Sequence, residues 1–269
     1  MRIACLPWYD LSETEPAMDR LWQRVAEALR ERGIADVPPA LDRRANYEAQ
    51  WQESGLLLGQ ACGYDVYCAN DHQLQVVGIP RYHLEGCEGT RYRSFVVVRE
   101  DAHYQSLEQL RGARCVINSP RSHSGMNVLQ ALIAPLAQAG RFFAEVQVSG
   151  AHQRSLESIA AHTADVAAID CITYGLLQRH RPRALAGTRI IHLTDALAAP
   201  PYITGATTAP ELLPLLRDAL AIAIADLSPR DREDLGLLGV ESGSLDDYQE
   251  LDALRQLAEQ ASYRELAMP

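Results

Sequence analysis

The sequence predicts an α/β fold arranged as two lobes. Short apolar runs alternate along the chain with longer segments of helical periodicity, which is typical of β-α-β units with right-handed crossovers. The chain has 269 residues, enough for one large domain or two smaller ones. Hydrophobic residues make up 47% of the chain and charged residues 22%, which excludes intrinsic disorder and collagen-like structure.

The N-terminal part begins with a predicted strand and an amphipathic helix. The apolar run RIACL over residues 2–6 predicts a buried strand. In the segment Pro16–Arg32 the apolar side chains recur at helical spacing, and Gly33 follows, so we expect a helix that ends at glycine. The further strands predicted in this part are Leu56–Leu58, Gln75–Ile79 and Ser94–Val98.

The middle of the chain carries the clearest alternation of strands and helices. Each strand is followed by a helical segment, which predicts parallel pairing. The predicted strands are Arg114–Asn118, Glu145–Ser149, Asp165–Ile169 and Arg189–Leu193, and the predicted helices are Gly125–Ala139, Arg154–Ala161 and Cys171–Arg179.

The C-terminal part follows the pair Pro200-Pro201 and is mainly helical. Lobe boundaries near residues 92–99 and 193–202 would make lobe I from residues 1–95 and 201–269, and lobe II from residues 96–200. The elements predicted after the prolines are a strand at Tyr202–Ala206 and helices near Pro210–Leu227, Pro229–Gly236 and Ser244–Glu259.

Charge and motifs exclude several classes of function. The net charge of −10 argues against nucleic-acid or anionic-membrane binding, so any anion site must be built locally from oriented N–H groups. The longest apolar run, near residues 219–225, falls far short of the ~20 residues of a membrane span. The sequence contains no GxxxxGK[ST], GxGxxG, GxSxG or HExxH motif and no metal-ligand spacing, so neither a cofactor nor a metal is expected.

The best candidate site is the loop between the strand at residues 114–118 and the following helix. Ser122 and Ser124 lie where a hydroxyl accepts hydrogen bonds from the first helical N–H groups. Gly125 would let the backbone approach a ligand, and the helix N-terminus favours an anion. Two interpretations remain open: the serines only cap the helix, or they also bind an anion.

Two further candidates follow the next two strands. His152 comes after the strand at residues 145–149, where an imidazole can donate to a phosphoryl or carboxylate oxygen; the alternative is a surface or capping histidine. Asp170 ends the strand after that, where a carboxylate either binds a ligand or caps the next helix. Because ligands of open α/β sheets bind at the carboxyl ends of strands, we expect these loops to converge.

Three tyrosines near predicted strand ends or loops are additional candidates. Tyr9, Tyr47 and Tyr92 have amphipathic rings that suit a ligand cleft. The alternative is ordinary half-buried packing.

Two stretches of the sequence carry a family resemblance. The stretch YRSFVVVREDAHYQSLEQLRGARCVINSPRSHSGMNVL contains a Tyr-x-Ser strand, SL-x-x-L-x-G and an S-x-S-G loop, and SGAHQRSLESIAAHTADVAAID contains Ser-Gly-x-His. Together they resemble the phosphate/phosphite/phosphonate substrate-binding proteins of ABC transporters. Ala45-Asn46-Tyr47 resembles a Thr-Asp-Tyr segment of that family, with Asn46 in place of the aspartate.

The resemblance implies a type II periplasmic-binding-protein fold, in which two α/β lobes joined by two crossover strands enclose a ligand cleft. It implies that Ser122, His123, Ser124 and His152 hold the anion, with Tyr47 and Tyr92 contributed by the other lobe and the hinge side. Relatives that bind aminoalkylphosphonates hold the amine with carboxylates. Ile172 and Pro200 stand roughly where those acids would fall.

The expected function is therefore that of a binding protein for a small oxyanion (phosphonate, phosphite, phosphate or a phosphate ester) in ABC-type uptake or sensing. We expect a monomer that delivers its ligand to an ABC permease and is not an enzyme. The alternative is a cytosolic enzyme of the same fold, resembling menaquinone- or thiamine-pyrimidine-pathway enzymes, in which His152 or Asp170 acts as acid or base. The sequence offers no activated nucleophile pair for that alternative.

The compartment and the cysteines leave alternatives open. The start MRIACLPWYD lacks the apolar region of a secretory signal, so the chain as given is expected in the cytoplasm unless a leader was removed, whereas the family is periplasmic. Of the six cysteines, Cys62 and Cys87 both fall in predicted lobe I and would be open to pairing in an oxidising compartment. The alternative is that the cysteines are small core residues.

Overall fold

The computed structural model describes residues 2–44, 46–68, 73–263 and 266, so Ala45 of the Ala45–Tyr47 segment lies outside the described residues. The chain divides into two compact units. Unit 1 comprises residues 1–83, 88–91 and 198–248, and unit 2 comprises residues 84–87, 92–197 and 249–269.

Strands alternate with helices along the described chain, as the sequence pattern predicts. The strands are β1 (Ile3–Cys5), β2 (Leu56–Gln60), β3 (Gln75–Tyr82), β4 (Arg91–Tyr92), β5 (Ser94–Arg99), β6 (Arg114–Ile117), β7 (Glu145–Val148), β8 (Val166–Asp170), β9 (Thr188–Leu193), β10 (Leu197–Ala198), β11 (Tyr202–Thr204) and β12 (Leu237–Glu241). The α-helices are α1 (Glu15–Glu31), α2 (Tyr47–Trp51), α3 (Gly63–Tyr67), α4 (Val128–Ile133), α5 (His152–Ala160), α6 (Cys171–His180), α7 (Leu212–Ala225), α8 (Pro229–Leu235) and α9 (Gln249–Gln260).

Unit 1 is built on a five-stranded sheet in the order β1-β2-β11-β3-β12. β1 and β2 are parallel, whereas β11 is antiparallel to both β2 and β3, and β12 is antiparallel to β3. Helix α1 buries the apolar stripe predicted from its spacing, including Leu21, Val25 and Leu29. The indole of Trp22 is also buried and donates to the carbonyl of Pro38 at 3.2 Å, which satisfies its polar atom.

Unit 2 is built on a second five-stranded sheet in the order β7-β6-β8-β5-β9. β6 is parallel to β7 and β8, and β5 is antiparallel to β8 and β9. Four strands therefore share one direction. The buried β-branched residues of this sheet lie on β5, β6 and β8, which form the middle of the unit. The sequence predicts parallel pairing for the strands of the middle series, and β6, β7, β8 and β9 do run in one direction. β5, which precedes that series in the chain, lies between β8 and β9 and is antiparallel to both.

The predicted helix at residues 125–139 differs in the structure. A π-helical turn at His123–Asn127 leads into α4, and a 3-10 turn at Ala134–Leu136 follows it. Pro135 lies in this last turn, where its missing N–H and its ring prevent continuation of the α-helix. The first turn is wider than an α-helical turn because the N–H of Asn127 donates to the carbonyl of Ser122, five residues earlier, at 3.0 Å.

The end of the chain also differs from the expected lobe I, which ran to residue 269. Residues 249–269 belong to unit 2, where α9 packs against α4. The side-chain amide of Asn127 donates to the carbonyl of Leu251 at 3.1 Å and ties α9 to the turn before α4. The other divisions fall after residues 91 and 197, a few residues before the expected positions, and residues 84–87 also belong to unit 2.

Candidate functional site

The candidate site lies in unit 2, at the carboxyl ends of three neighbouring parallel strands. The loop after β6 leads to the π-helical turn, α5 begins just after β7, and Asp170 is the last residue of β8. Because β6, β7 and β8 run in the same direction, their ends meet at one edge of the sheet. This edge brings together Ser124, His152 and Asp170.

Ser122 caps the π-helical turn. Its hydroxyl oxygen accepts a hydrogen bond from the N–H of Gly125 at 3.0 Å, and the residue is buried. The N–H of Gly125 is therefore already satisfied within the protein. Ser122 therefore has the capping role that the sequence predicts for one of the two serines.

Ser124, His152 and Asp170 form a buried cluster. The hydroxyl oxygen of Ser124 lies 2.9 Å from Nε2 of His152, and the same nitrogen lies 3.3 Å from a carboxylate oxygen of Asp170. Ser124 is 6% exposed and Asp170 is 3% exposed. Both contacts thus converge on one nitrogen of the imidazole.

Because Ser124 and Asp170 both contact Nε2 of His152, this contact determines where the hydrogens of the imidazole and of the serine hydroxyl lie. A deprotonated Nε2 would point its lone pair at a carboxylate, so we assign the ring hydrogen to Nε2, from where it is directed toward Asp170 and Ser124. The hydroxyl of Ser124 then accepts from the ring and keeps its own hydrogen for another acceptor. Nδ1 of His152 is buried and makes no hydrogen bond of ordinary geometry, although the backbone of Ala168 lies near enough to the ring to act against the lowering of its pKa.

His152 is neutral at physiological pH. Burial lowers the pKa of its imidazole, and the charge of Asp170 opposes this shift only in part. The cluster therefore offers an anion a hydrogen-bond donor rather than an imidazolium charge.

Asp170 is engaged on both oxygens. One carboxylate oxygen accepts from the N–H of Thr173 at 2.8 Å, and the other accepts from the hydroxyl of Thr173 at 2.5 Å. Asp170 is thus the N-cap of α6, while it also orients His152. Thr173 was not among the predicted residues, although a threonine three positions after an aspartate at a strand end is a recognisable capping pattern.

His123 is buried and neutral in the π-helical turn. Burial lowers the pKa of its imidazole to about 4. Its Nδ1 lies 3.3 Å from the side-chain amide of Asn127, the group that also bonds to Leu251. The ring of Tyr92, which is buried, lies 6.2 Å from the His123 ring between centroids. These contacts hold the turn in place, and Asn127 is a second residue that sequence reasoning missed.

Gly125 lies against the side chains of Asn118 and His152. A Cβ atom at this position would lie 1.8 Å from Oδ1 of Asn118 and 3.2 Å from Cε1 of His152. The space beside Gly125 is therefore filled by a side chain of the protein itself. Oδ1 of Asn118 is buried without a hydrogen-bond partner, and nothing in the sequence except its position at a strand end identifies it.

Tyr47 and Tyr9 belong to unit 1. Tyr47 begins α2, whose N-cap Asn46 accepts from the N–H of Ala49 at 3.0 Å, and its ring packs edge-on to Trp8 at 5.0 Å. Tyr9 is buried and packs edge-on to Tyr82 at 5.5 Å. Both tyrosines thus have aromatic partners within their own unit.

The described residues contain neither a metal-binding group of side chains nor a membrane-spanning helix. No group of three or more His, Cys, Asp or Glu side chains in that part of the chain is placed to hold a metal ion. No helix there combines the length and apolarity needed to cross a membrane.

Three solved structures share this fold. XAC2383 from Xanthomonas citri, bound to ATP, is 17% identical with a TM-score of 0.69 over 100% of both chains. PhnD1 from Prochlorococcus marinus, in complex with methylphosphonate, is 13% identical with a TM-score of 0.70 over 95% of this chain and 97% of its own. The alkanesulfonate-binding protein SsuA from Xanthomonas axonopodis, bound to MOPS, is 15% identical with a TM-score of 0.63 over 98% of this chain and 94% of its own.

These similarities confirm the predicted type II periplasmic-binding-protein fold. Among curated protein sequences, none matches this chain significantly. A family model described as "ABC transporter, phosphonate, periplasmic substrate-binding protein" matches residues 9–248, which is most of the chain. The chain therefore belongs to the substrate-binding proteins of phosphonate ABC transporters.

Proposed function

We propose that this protein binds a small molecule carrying a tetrahedral oxyanion, such as a phosphonate, phosphite, phosphate or phosphate ester, and delivers it to an ABC permease. The observation that carries the proposal is the contact between Ser124 and His152 at 2.9 Å. With its oxygen accepting from the ring, the Ser124 hydroxyl presents its hydrogen to an incoming anion. A hydrogen bond of this kind to a charged group contributes about 1.5–3 kcal/mol.

The ligands of the structural neighbours support this class of ligand. Those proteins were solved with ATP, with methylphosphonate and with MOPS. Each of these molecules carries a phosphoryl, phosphonate or sulfonate group, so a tetrahedral arrangement of anionic oxygens is common to all three.

The geometry favours binding over catalysis. In a serine hydrolase the carboxylate holds one ring nitrogen and the serine faces the other, so the ring accepts the serine proton. Here Ser124 and Asp170 share Nε2 of His152, which leaves no basic nitrogen directed at the serine. Ser124 is therefore suited to donate a hydrogen bond and not to attack a substrate.

The surroundings of Asp170 favour a ligand without an amino group. Hydrogen bonds from Thr173 already engage both oxygens of Asp170, which makes this carboxylate a weaker receptor for a ligand ammonium than an unengaged one would be. Ile172, two positions after Asp170, is apolar and fully buried. We infer that methylphosphonate or phosphite binds more tightly than aminoethylphosphonate.

Calorimetric titration tests the proposal. Wild-type protein is titrated with methylphosphonate, phosphite, phosphate, ATP and aminoethylphosphonate. For the ligand that binds most tightly, Ser124→Ala is expected to weaken affinity roughly 10- to 100-fold, since it removes one donor to a charged group. The matched control is Ser158→Ala on α5, where the hydroxyl donates to the carbonyl of Arg154, and it should bind like wild type.

The proposal fails if none of these anions binds, or if Ser124→Ala binds as tightly as wild type. Recovery of a chemically altered ligand after incubation would instead support the enzyme alternative. Recovery of the unchanged ligand supports a binding protein.

A further inference from the structure

Two cysteine side chains lie next to each other in unit 2. The sulfur atoms of Cys87 and Cys171 are 3.5 Å apart, and both residues are thiols in the structure. Cys87 precedes the division at residue 88, and Cys171 is the first residue of α6. The pairing suggested by the sequence, Cys62 with Cys87, joins residues of different units, and the structure instead gives Cys87 a neighbour within its own unit.

Gly86 makes the close approach of the two segments possible. Its φ is +88°, and a Cβ atom there would lie 2.8 Å from Cβ of Cys171. Only glycine satisfies both the backbone conformation and the space. Nε of Arg93 donates to the carbonyl of Gly86 at 3.3 Å, which helps to hold Cys87 against α6.

The two thiols differ in accessibility. Cys87 is partly exposed, whereas Cys171 is fully buried. A dissolved oxidant therefore reaches Cys87 first, and Cys171 is placed to react only with Cys87. This is the arrangement of an attacking thiol and a resolving thiol.

We propose that Cys87 and Cys171 form a redox-active pair that a small-molecule disulfide oxidises to an intramolecular disulfide. Cys87 loses its proton to solvent, and its thiolate attacks one sulfur of the oxidant, which releases one thiolate and leaves a mixed disulfide. Cys171 then attacks the sulfur of Cys87, passes its proton to solvent, and the second thiolate leaves. Two protein thiols are oxidised, and the oxidant disulfide is reduced to two thiols.

The environment of Cys87 sets the pH dependence of this reaction. The hydrogen bond with Cys171 and burial raise the pKa of the Cys87 thiol, the charge of Asp170 raises it further, and Arg93 lowers it. Because only the thiolate attacks a disulfide, oxidation should be slow at pH 7 and should accelerate at least several-fold by pH 9.

The disulfide would form directly beside the candidate site. Cys171 follows Asp170, the residue that orients His152 and caps α6. Oxidation would therefore attach the segment at residues 84–87 to the first residue of that helix. The pair would give the protein a thiol–disulfide reaction in addition to anion binding. This reaction depends on the disulfide oxidants of the compartment and not on the bound anion.

Thiol counting on the full chain tests the proposal without any anionic ligand. Reduced protein is incubated with oxidised glutathione, alkylated, denatured and digested. The thiol count is expected to fall from six to four, and the cross-linked peptides to contain Cys87 and Cys171. The matched control is Cys68→Ser, at a similarly half-buried cysteine of unit 1, which should still lose two thiols.

Cys87→Ser and Cys171→Ser should each form no intramolecular disulfide. The proposal is wrong if wild-type protein keeps all six thiols after oxidation, or if the cross-linked peptides join any other pair. Because the peptide map is made on wild-type protein, the result stands even where a variant fails to fold.

Discussion

Ser124 is the residue on which the proposed recognition of an anion depends, because its neighbour His152 decides the direction of its hydrogen bond. A serine that donated to a basic histidine would have no hydrogen left for a ligand. Here the hydrogen on Nε2 of His152 is directed toward Asp170 and Ser124, so the serine acts as an acceptor on one side and a donor on the other. The proposed recognition at this cluster therefore uses a neutral hydrogen-bond donor in place of a positive charge.

Substitution of Gly125 gives a prediction for the free energy of unfolding that rests on a single residue. Gly125→Ala places a methyl group against Oδ1 of Asn118, so we expect a loss of roughly 1–3 kcal/mol in the free energy of unfolding. Asn118→Ala in the same chain removes the clash and should restore at least half of that loss. Urea unfolding measures both, and equal stability of the single and double variants would contradict this account of the glycine.

His123 predicts a particular dependence of stability on pH. Its pKa is about 4 in the folded protein, below the ordinary value of 6.5. The unfolded chain therefore binds more protons between these values, and the contribution of His123 is complete above about pH 6.5 and lost as the pH falls toward 4. This difference in the pKa of His123 corresponds to about 3 kcal/mol in the free energy of unfolding.

Urea unfolding at several pH values checks this prediction. Wild type should lose more unfolding free energy between pH 6.5 and 4.5 than His123→Gln, which carries no titrating ring. Identical pH profiles for the two proteins would show that the histidine is not held neutral by burial.

At the scale of elements, the first turn of α6 connects helix stability with the proposed anion site. Asp170 ends β8, caps α6 through Thr173 and also holds His152. The single carboxylate thus fixes the direction of a helix and the tautomer of a ring on the neighbouring helix.

Asp170→Ala should therefore reduce both stability and affinity. We expect a loss of about 0.5–2 kcal/mol in unfolding free energy from the missing cap, and weaker binding of methylphosphonate by several-fold or more. The control is Ser228→Ala, which removes the N-cap of α8 in unit 1. It should cost similar stability and leave affinity unchanged. If the two variants bind equally well, Asp170 is only a cap.

The sequence predicted the elements of this site better than its hydrogen bonds. The polar residues at strand ends and helix starts predict that Ser124, His152 and Asp170 lie close together, because parallel strands bring such positions to one edge, and the structure places them in contact. The π-helical turn was not predictable, since it depends on packing of Asn127 against α9. The contact of both Ser124 and Asp170 with Nε2 of His152 depends on the directions of the side chains, which the spacing of residues in the sequence does not predict. The unit to which α9 belongs depends on Asn127 and Leu251, which lie far apart in sequence.

For the whole molecule, charge opposes the proposed ligand. A net charge of −10 repels an anion at long range, while the cluster attracts it only at hydrogen-bond distance. We therefore expect the association rate of methylphosphonate to rise roughly 2-fold when ionic strength increases from about 10 to 150 mM. Stopped-flow measurements in sodium acetate, whose anion is planar, check this. A rate that falls with added salt would indicate attractive steering and contradict the prediction.

The most direct test of the central claim is a crystal structure of the protein with methylphosphonate. We predict that a phosphonate oxygen lies about 2.5–3.0 Å from the hydroxyl oxygen of Ser124, with His152 still between Ser124 and Asp170. A phosphonate bound elsewhere, with Ser124 bonded only to protein atoms, would contradict the claim that this hydroxyl recognises the ligand.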